Sequence, residues 1–182
     1  MTKQKWKTLS SEIGFQGKHL KIRVDKIERP NGTTGTYEFI DKPDFIMVIP
    51  KLKYKFYLVE QYRYPLGSRS WEFPQGGCEG IPDLTTCARK ELEEELGLIT
   101  TDLHLLGNLW LAVGNSNQAC AIYLADNLTE GQQQLEEGET GANLISKLFT
   151  EEQIKEMIKS GEIRCSMTIA AFNLYLLNKQ LR

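Results

Sequence analysis

The segment from Asp83 to Gly97 constrains the fold most, because it combines a helical apolar pattern with a run of carboxylates. At about 100° per residue, its apolar side chains fall within one sector of a helix. These side chains are Leu84, Cys87, Ala88, Leu92 and Leu96. Asp83 suits the N-cap position, and Gly97 suits the position after the last turn. The segment therefore predicts a single helix with one buried face.

The glutamates of this helix do not all fit a solvated surface. Glu91 and Glu95 fall inside the apolar sector, Glu94 lies on its edge, and Glu93 points away. A carboxylate that faces a core is costly unless it is paired or bound to a cation. Because Glu91, Glu94 and Glu95 stand at i, i+3 and i+4, we expect their carboxylates to converge, and such hard donors favour Mg²⁺, Mn²⁺ or Ca²⁺ over zinc. The alternative is a charged helix whose end frays into solvent.

Length and charge set further bounds. A chain of 182 residues fits one domain, or one compact domain with a small appendage, and it can bury a core without a disulfide or a metal to hold it. The net charge of −2 gives no case for bulk binding to nucleic acid or to an anionic membrane. No segment reaches roughly 18 apolar residues, and the N-terminus has no apolar signal region. We therefore expect a soluble, cytoplasmic protein.

The cysteines indicate no special chemistry. Cys78, Cys87, Cys120 and Cys165 are far apart and form no CxxC pair. Neither a zinc site nor a disulfide framework is indicated, so we expect reduced, mostly structural thiols.

Strand patterns lie on both sides of the central helix. Alternating apolar residues and an Asn-Gly turn mark the first of them, and the lysine-rich residues 51–53 indicate a hairpin. The predicted strands fall within 18–30, 36–40, 44–50, 53–64, 103–114 and 119–128.

The last third of the chain is a loop followed by two helices. Residues 131–143 are polar and aperiodic, as in a loop. A capping box from Thr150 to Gln153 begins one helix and Gly161 ends it, and a second apolar helix covers 166–179. No internal repeat or long linker divides the chain.

Residues 76–98 resemble a Nudix box, whose pattern is Gly, five residues, Glu, seven residues, Arg-Glu, an aliphatic residue, any residue, Glu-Glu, any residue, Gly and an aliphatic residue. Most of the second half of the pattern is present, at Glu91, Leu92, Glu94, Glu95, Gly97 and Leu98. Two positions depart from it: Pro82 replaces the first glutamate, and Lys90 replaces the arginine. Lysine keeps the charge but loses the bidentate fork of arginine. Slower catalysis, altered metal preference and lost activity are the open consequences.

The resemblance extends to the ADP-ribose and nucleoside-diphosphate-sugar pyrophosphatases. It is carried by "IERPNGTTGTYEFI", "FYLVEQYRYPLGSRSWEFPQGG" and "EEQIKEMIKSGEI", which occur in the right order. It implies an α/β fold, an α/β/α sandwich around a mixed β-sheet with N-terminal antiparallel strands. It also implies an N-terminal strand region, residues 1–42, that helps to form a homodimer, followed by a Nudix hydrolase domain over 43–182.

The same resemblance implies a metal site. Glu91 and Glu95 are the principal ligands in this interpretation, Glu94 assists, and the backbone carbonyl of Gln75 completes the shell. Mg²⁺ is the expected ion, with Mn²⁺ as the alternative.

Four further residues are implied in substrate binding. Arg63 would hold a phosphate, Glu72 would position the substrate, and Arg29 and Glu38 would contact the nucleotide. The alternative for the two arginines is a surface position over aromatic neighbours, and for Glu72 and Glu38 a strand position facing water.

The implied reaction is attack of water on a phosphorus of a nucleoside diphosphate linked to a sugar, giving a nucleoside monophosphate and a sugar phosphate. The general base would be a loop glutamate, Glu136, Glu137 or Glu139, of which the register favours Glu139. Glu94 would also take part in catalysis. The alternative is a nucleotide-binding or regulatory module that keeps the fold and has lost turnover.

Overall fold

The structure, a computed structural model, describes residues 5–135, 140 and 143–179. It divides into two units. The first comprises Met1–Pro43 with Trp110–Ala119, and the second comprises Asp44–Leu109 with Cys120–Arg182. The boundary predicted at residue 42 stays a prediction.

The described part of the first unit contains an antiparallel sheet of three strands in the order β1-β2-β3. Its strands are β1 (Lys7–Gln16), β2 (Lys21–Glu28) and β3 (Thr34–Ile40). The turn between β2 and β3 has Gly32 at φ 82°, and the side chain of Asn31 accepts a hydrogen bond from the Thr33 N–H. Strand β1 was not predicted, because all ten of its residues are exposed and no buried face imposes an alternation on them.

The second unit is built on a mixed sheet. Within the described residues the order is β12-β5-β4-β10-β9, with β6 paired to β5 and β7 paired to β4. Strands β4 and β10 are parallel, and β4 and β5 form the expected hairpin. The bounds are β4 (Phe45–Leu52), β5 (Lys55–Arg63), β6 (Ser68–Glu72), β7 (Gln75–Gly77), β9 (Asp102–Trp110), β10 (Ala119–Asp126) and β12 (Ile145–Thr150). A separate short pair joins β8 (Leu98–Ile99) to β11 (Thr129–Glu130).

Helices cover both faces of this sheet. Helix α1 (Leu84–Leu96) packs with Ile46 and Val48 of β4, whereas the alternate residues Met47 and Ile49 pack with the two later helices. Those helices are α2 (Glu151–Ser160) and α3 (Ser166–Lys179). The predicted α/β/α sandwich is confirmed. No helix of the described chain is long and apolar enough to cross a membrane.

The helix ends agree with the sequence signals. The side chain of Asp83 accepts hydrogen bonds from the N–H groups of Thr85 (3.2 Å) and Thr86 (2.9 Å), and Gly97 ends α1 at φ 63°. The Thr150 to Gln153 capping box is formed at the start of α2. These caps supply partners for groups that a helix leaves unbonded at its ends.

The expectation of four reduced thiols is wrong for one pair. Cys78 and Cys87 form a disulfide, with their Cα atoms 5.7 Å apart, and Cys120 and Cys165 are free. The two bonded residues are nine positions apart, and they meet because the chain leaving β7 turns back along α1. That turn depends on tertiary packing, so spacing alone did not indicate it.

We predict that the Asp83 cap makes α1 sensitive to acid. Hydrogen bonds from Thr86 and Thr85 lower the pKa of Asp83 from 3.8 to about 2. Because the pKa is lowered in the folded state, this stabilisation is present above about pH 4 and is lost as the pH falls towards 2. Urea unfolding of the wild type should show the free energy of unfolding falling between pH 6 and 2.5, in part because Asp83 takes up a proton.

Two substitutions separate the cap from the charge. Asp83→Asn still caps the helix but cannot titrate, so it should flatten this component of the pH dependence while remaining more stable than Asp83→Ala at pH 6. A wild-type pH profile retained in Asp83→Asn would contradict the assignment.

Candidate active site

The carboxylate of Glu91 lies against the backbone of β7. A Cβ atom at Gly76 would overlap this carboxylate, so the close approach requires glycine. Gly76 is itself paired with Ile46 of β4, which fixes the strand beneath the helix. Residues 75–77 thus form a short strand that brings its backbone to the Glu91 side chain.

Glu95 lies one turn further along α1 and is 1% exposed. Its position on the buried face confirms the count from helical periodicity. Glu93, predicted to point away, is half-buried and has a carboxylate oxygen close to Gly131. Glu91 and Glu94 are also half-buried.

Arg63 and Glu72 form a tight pair beside α1. The Arg63 Nε lies 3.2 Å from each Glu72 carboxylate oxygen, and its second terminal nitrogen lies 2.5 Å from one of them. Gln75 donates a further hydrogen bond of 2.5 Å to Glu72. Glu72 is 3% exposed, so the alternative of a strand residue facing water is wrong.

The charges around Arg63 stabilise its protonated form. Burial lowers the pKa of Arg63. The hydrogen bond with Glu72 and the charges of Glu72 and Glu95 together raise this pKa by more, so the net shift is upward. Arg63, which belongs to β5, therefore interacts electrostatically with Glu72 of β6 and with Glu95 of α1.

Lys90 holds Glu94. Its Nζ lies 2.8 Å from the Glu94 carboxylate one turn later, and the two side chains are 50% and 22% exposed. An exposed i, i+4 pair of this kind contributes only about 0.3–0.5 kcal/mol. Glu94 can therefore leave Lys90 for another partner at small cost.

The predicted convergence of the three carboxylates is not found in this structure. Among the described residues, no three His, Cys, Asp or Glu side chains form a group that could hold a metal ion. Carboxylates at one place repel each other, and here they have separate surroundings: Glu91 against β7, Glu94 at Lys90, and Glu95 near Arg63. The metal site stays a prediction.

The residues nevertheless fit a hard divalent cation. The cradle at Gly76 places the carboxylate of Glu91 beside the backbone of β7, and Glu95 shares its helix face. All the donors offered are oxygens, which is the set that Mg²⁺ and Mn²⁺ prefer.

A segment interpreted only as a polar loop holds the end of α1. Gln133 donates a 2.5 Å hydrogen bond from its side chain to the Glu95 carbonyl, and the Gln134 N–H donates to the Glu94 carbonyl at 3.1 Å. The Gly131 N–H donates to the Gly97 carbonyl at 2.7 Å. Helix ends need such donors, but the sequence does not indicate which distant segment supplies them.

Arg29 and Glu38 belong to the first unit, and their roles stay predictions. Arg29 donates to the Thr34 carbonyl at 3.0 Å and lies 5.5 Å from the centre of the Trp6 ring, within the first unit. Glu38 is exposed on β3 of the same unit. The candidate bases Glu136, Glu137 and Glu139 lie outside the described residues.

An α/β/α fold in which the glutamate-bearing helix α1 packs on strand β7, at Gly76, is typical of a Nudix-type hydrolase. Residues 42–165 match the NUDIX domain family, and residues 6–40 match the nucleoside diphosphate sugar hydrolase N-terminal domain. The chain belongs to the NUDIX family.

The relatives agree with this assignment. The chain is 32% identical to a methanol dehydrogenase activator of Bacillus methanolicus, over 97% of this chain and 95% of that protein. It is 30% identical to an ADP-ribose pyrophosphatase of Mycobacterium tuberculosis (93% and 83%) and 26% identical to one of Bacillus subtilis (97% and 95%). A crystal structure of an ADP compounds hydrolase matches with a TM-score of 0.85 at 21% identity, covering 97% and 96%, which supports the fold.

The predicted family, fold class and enzyme class are thereby confirmed: the protein is a Nudix pyrophosphatase by family. Hydrolysis of nucleoside diphosphate sugars is the activity that this family supports, and Nudix hydrolases generally use divalent metal ions.

We predict that Gln133 stabilises the last turn of α1. Gln133→Met keeps the shape of the side chain but removes its N–H donor, so it should lower the free energy of unfolding by about 1 kcal/mol. It should also speed amide hydrogen exchange in the last turn of the helix. Gln132→Met is the control, since the described residues contain no hydrogen bond from the exposed Gln132 side chain. Equal stability of the two variants would refute the role.

Proposed function

We propose that the protein hydrolyses the pyrophosphate bond of ADP-ribose or a similar nucleoside diphosphate sugar, giving a nucleoside monophosphate and a sugar phosphate. The observation that carries this proposal is the packing of Glu91 on Gly76, with Glu95 buried on the same helix face. The names of the two bacterial ADP-ribose pyrophosphatases support the choice of substrate.

The metal ion in this proposal is Mg²⁺, with Mn²⁺ as the alternative. Glu91 and Glu95 would hold it, Glu94 would assist after leaving Lys90, and the Gln75 carbonyl would complete the protein's share of the shell. When bound, such an ion neutralises phosphoryl oxygens and lowers the pKa of water. The protein's contribution is a fixed helix face and a strand backbone that approaches it closely.

Arg63 and Glu72 would bind the substrate as a unit. Glu72 orients the guanidinium by accepting from two of its nitrogens, while the Arg63 side chain is 35% exposed and can present N–H groups to a phosphate. Arg63 also brings positive charge to a site that is otherwise rich in carboxylates. Arg29 and Glu38 would contact the nucleotide from the N-terminal strand region. In the proposed domain division this region covers residues 1–42, and the Nudix hydrolase domain covers 43–182.

The proton of the attacking water would go to a glutamate of the 131–143 segment, for which we propose Glu139. The described beginning of this segment is bonded to the end of α1 through Gly131, Gln133 and Gln134. A general base must reach the water within hydrogen-bonding distance. The support for this choice is that the described residues 131–134 are attached to the helix that carries Glu94 and Glu95.

Hydrolysis assays on purified protein test the proposal. ADP-ribose, GDP-mannose, UDP-glucose and diadenosine polyphosphates are incubated with Mg²⁺ or Mn²⁺, and products are separated by chromatography. Glu91→Gln and Glu95→Gln should lower kcat by at least about 100-fold, because loss of even an outer-shell partner costs 10–100-fold at metal sites.

Glu93→Gln is the matched control on the same helix. It should change kcat by less than about threefold, because this residue is not among the proposed ligands. If Glu95→Gln turned over as fast as Glu93→Gln, the proposed metal site would be wrong.

We also propose that the enzyme is a cytoplasmic homodimer that pairs through its N-terminal strands. Strand β1 exposes Leu9 (46%), Ile13 (51%) and Phe15 (53%). Apolar side chains concentrated on one exposed strand are typical of an interaction surface, and a second copy of the chain presents the same surface.

Charge on β1 should dissociate the dimer. Ile13→Glu should weaken self-association by at least about 100-fold, because a carboxylate would have to be buried at the interface. Sedimentation velocity over a concentration series measures this change. Leu177→Glu, at an equally exposed position on α3 (52%), is the control and should leave self-association unchanged. A monomeric wild type would disprove this part of the proposal.

A second candidate function is favoured by one comparison. The relative from Bacillus methanolicus is named as an activator of another enzyme. The chain would then be a nucleotide-binding or regulatory module in which Pro82 and Lys90 accompany lost turnover. Nucleotide binding by calorimetry, without product from any substrate in the panel, would support this function over hydrolysis.

A further inference from the structure

The Cys78–Cys87 disulfide joins the two elements that form the candidate active site. Cys78 directly follows β7, and Cys87 is the fourth residue of α1. Gly76 lies two residues before the first cysteine, and Glu91 lies one turn after the second. The bond therefore closes a loop whose two ends lead directly to the Gly76 and Glu91 contact.

The two sulfur atoms differ in accessibility. Cys87 is 2% exposed and packs in the core with Ala88 and Leu92, whereas Cys78 is half-buried at the edge of the same cluster. A thiolate from outside can therefore approach the bond at Cys78, with Cys87 as the leaving group. Cys120 is buried, and burial raises the pKa of its thiol to about 12, so little thiolate forms there to compete in the exchange.

Besides the disulfide, the Asp83 cap holds the end of this loop that enters α1. The Ile81 N–H donates to the Cys78 carbonyl at 3.0 Å, within the loop, and the Ile81 side chain packs against the core under α1. The Glu79, Gly80 and Pro82 residues are exposed. The disulfide is thus the covalent restraint that keeps the chain after β7 against the first turns of the helix.

We propose that Cys78 and Cys87 form a site of reversible thiol–disulfide exchange with dithiols, and that its reduction loosens β7 from α1 and weakens metal binding. The effect on metal binding rests on the function proposed above. In reducing compartments, disulfides are usually transient and serve catalysis or redox sensing, which fits a bond placed beside an active site.

The exchange takes place in two steps. One thiolate of the dithiol attacks the Cys78 sulfur, which breaks the protein disulfide, forms a mixed disulfide and releases Cys87 as a thiolate that takes up a proton. The second thiolate of the dithiol then attacks the dithiol sulfur that is bonded to Cys78, which closes the dithiol's own disulfide and releases Cys78 as a thiolate that also takes up a proton. The protein gains two electrons and two protons, and the dithiol is oxidised to its own disulfide.

The first experiment counts thiols in the full-length protein. Oxidised protein, denatured and alkylated, should carry two labels, since two of its four cysteines are bonded, and protein treated with dithiothreitol should carry four. Peptide mapping should place the additional labels on Cys78 and Cys87. Four labels in protein exposed to oxidised glutathione would overturn the proposal.

The second experiment measures the effect on the site. Mn²⁺ binding, followed by electron paramagnetic resonance, should weaken by about tenfold on reduction, the lower end of the loss caused by outer-shell changes. Amide hydrogen exchange should rise in residues 75–77 and in the first turns of α1. Cys78→Ser should behave as the reduced protein in either condition, while Cys120→Ala should keep the full response.

The outcomes separate this inference from the proposed function. Equal Mn²⁺ affinity and equal exchange in the oxidised and reduced protein would overturn the inference, even if the enzyme is active. Absence of Mn²⁺ binding in both states would instead defeat the proposed metal site and, with it, the claimed effect on metal binding. Rescue of Mn²⁺ affinity by reoxidation in the wild type, but not in Cys78→Ser, would support the exchange site.

Discussion

The packing of α1 against β7 is the constraint on which the rest of the site depends. A helix that carries the half-buried Glu91 and the buried Glu95 on its inner face needs more than apolar contacts, because removing a carboxylate from water is costly. Backbone geometry and a nearby positive charge offset this cost. Glycine at position 76 lets the strand approach the Glu91 side chain, and Arg63 contributes positive charge near Glu95. Apolar burial is left to Cys87, Ala88 and Leu92, which pack on β4 and β10.

The two ends of α1 are held by different kinds of contact. At its beginning, the Asp83 cap fixes the first turn and the disulfide ties Cys87 to the chain after β7. At its end, the segment around Gln133 bonds to the last carbonyls. The proposed ligands therefore lie between two restraints, and one of these restraints is chemically reversible. While the disulfide is intact, the start of α1 is held covalently, so less apolar contact beneath the carboxylates is needed to keep the helix in place.

Local signals were sufficient to predict α1 and α2, including their caps, because capping and helical period are properties of neighbouring residues. The α/β/α sandwich was predicted only from the family resemblance. Strand β1 was missed because all its residues are exposed, and β7 was missed because it exists only through pairing with β4. The disulfide was missed because the approach of its two cysteines depends on tertiary packing. Within the site, the burial of Glu95 followed from periodicity, whereas the turn of Glu94 towards Lys90 depended on side-chain electrostatics that spacing does not describe.

The two departures from the Nudix pattern acquire different meanings in the structure. Lys90 forms an exposed pair with Glu94, and a pair of this strength leaves Glu94 available to a bound cation. Lys90 is therefore a weak argument for lost turnover. Pro82 lies exposed inside the loop closed by Cys78 and Cys87. Proline and a disulfide both reduce the conformational freedom of the unfolded chain, so together they favour one arrangement of this loop. Pro82 therefore gives the loop some order of its own, and reduction at the proposed exchange site would remove only the part that the Cys78–Cys87 bond supplies.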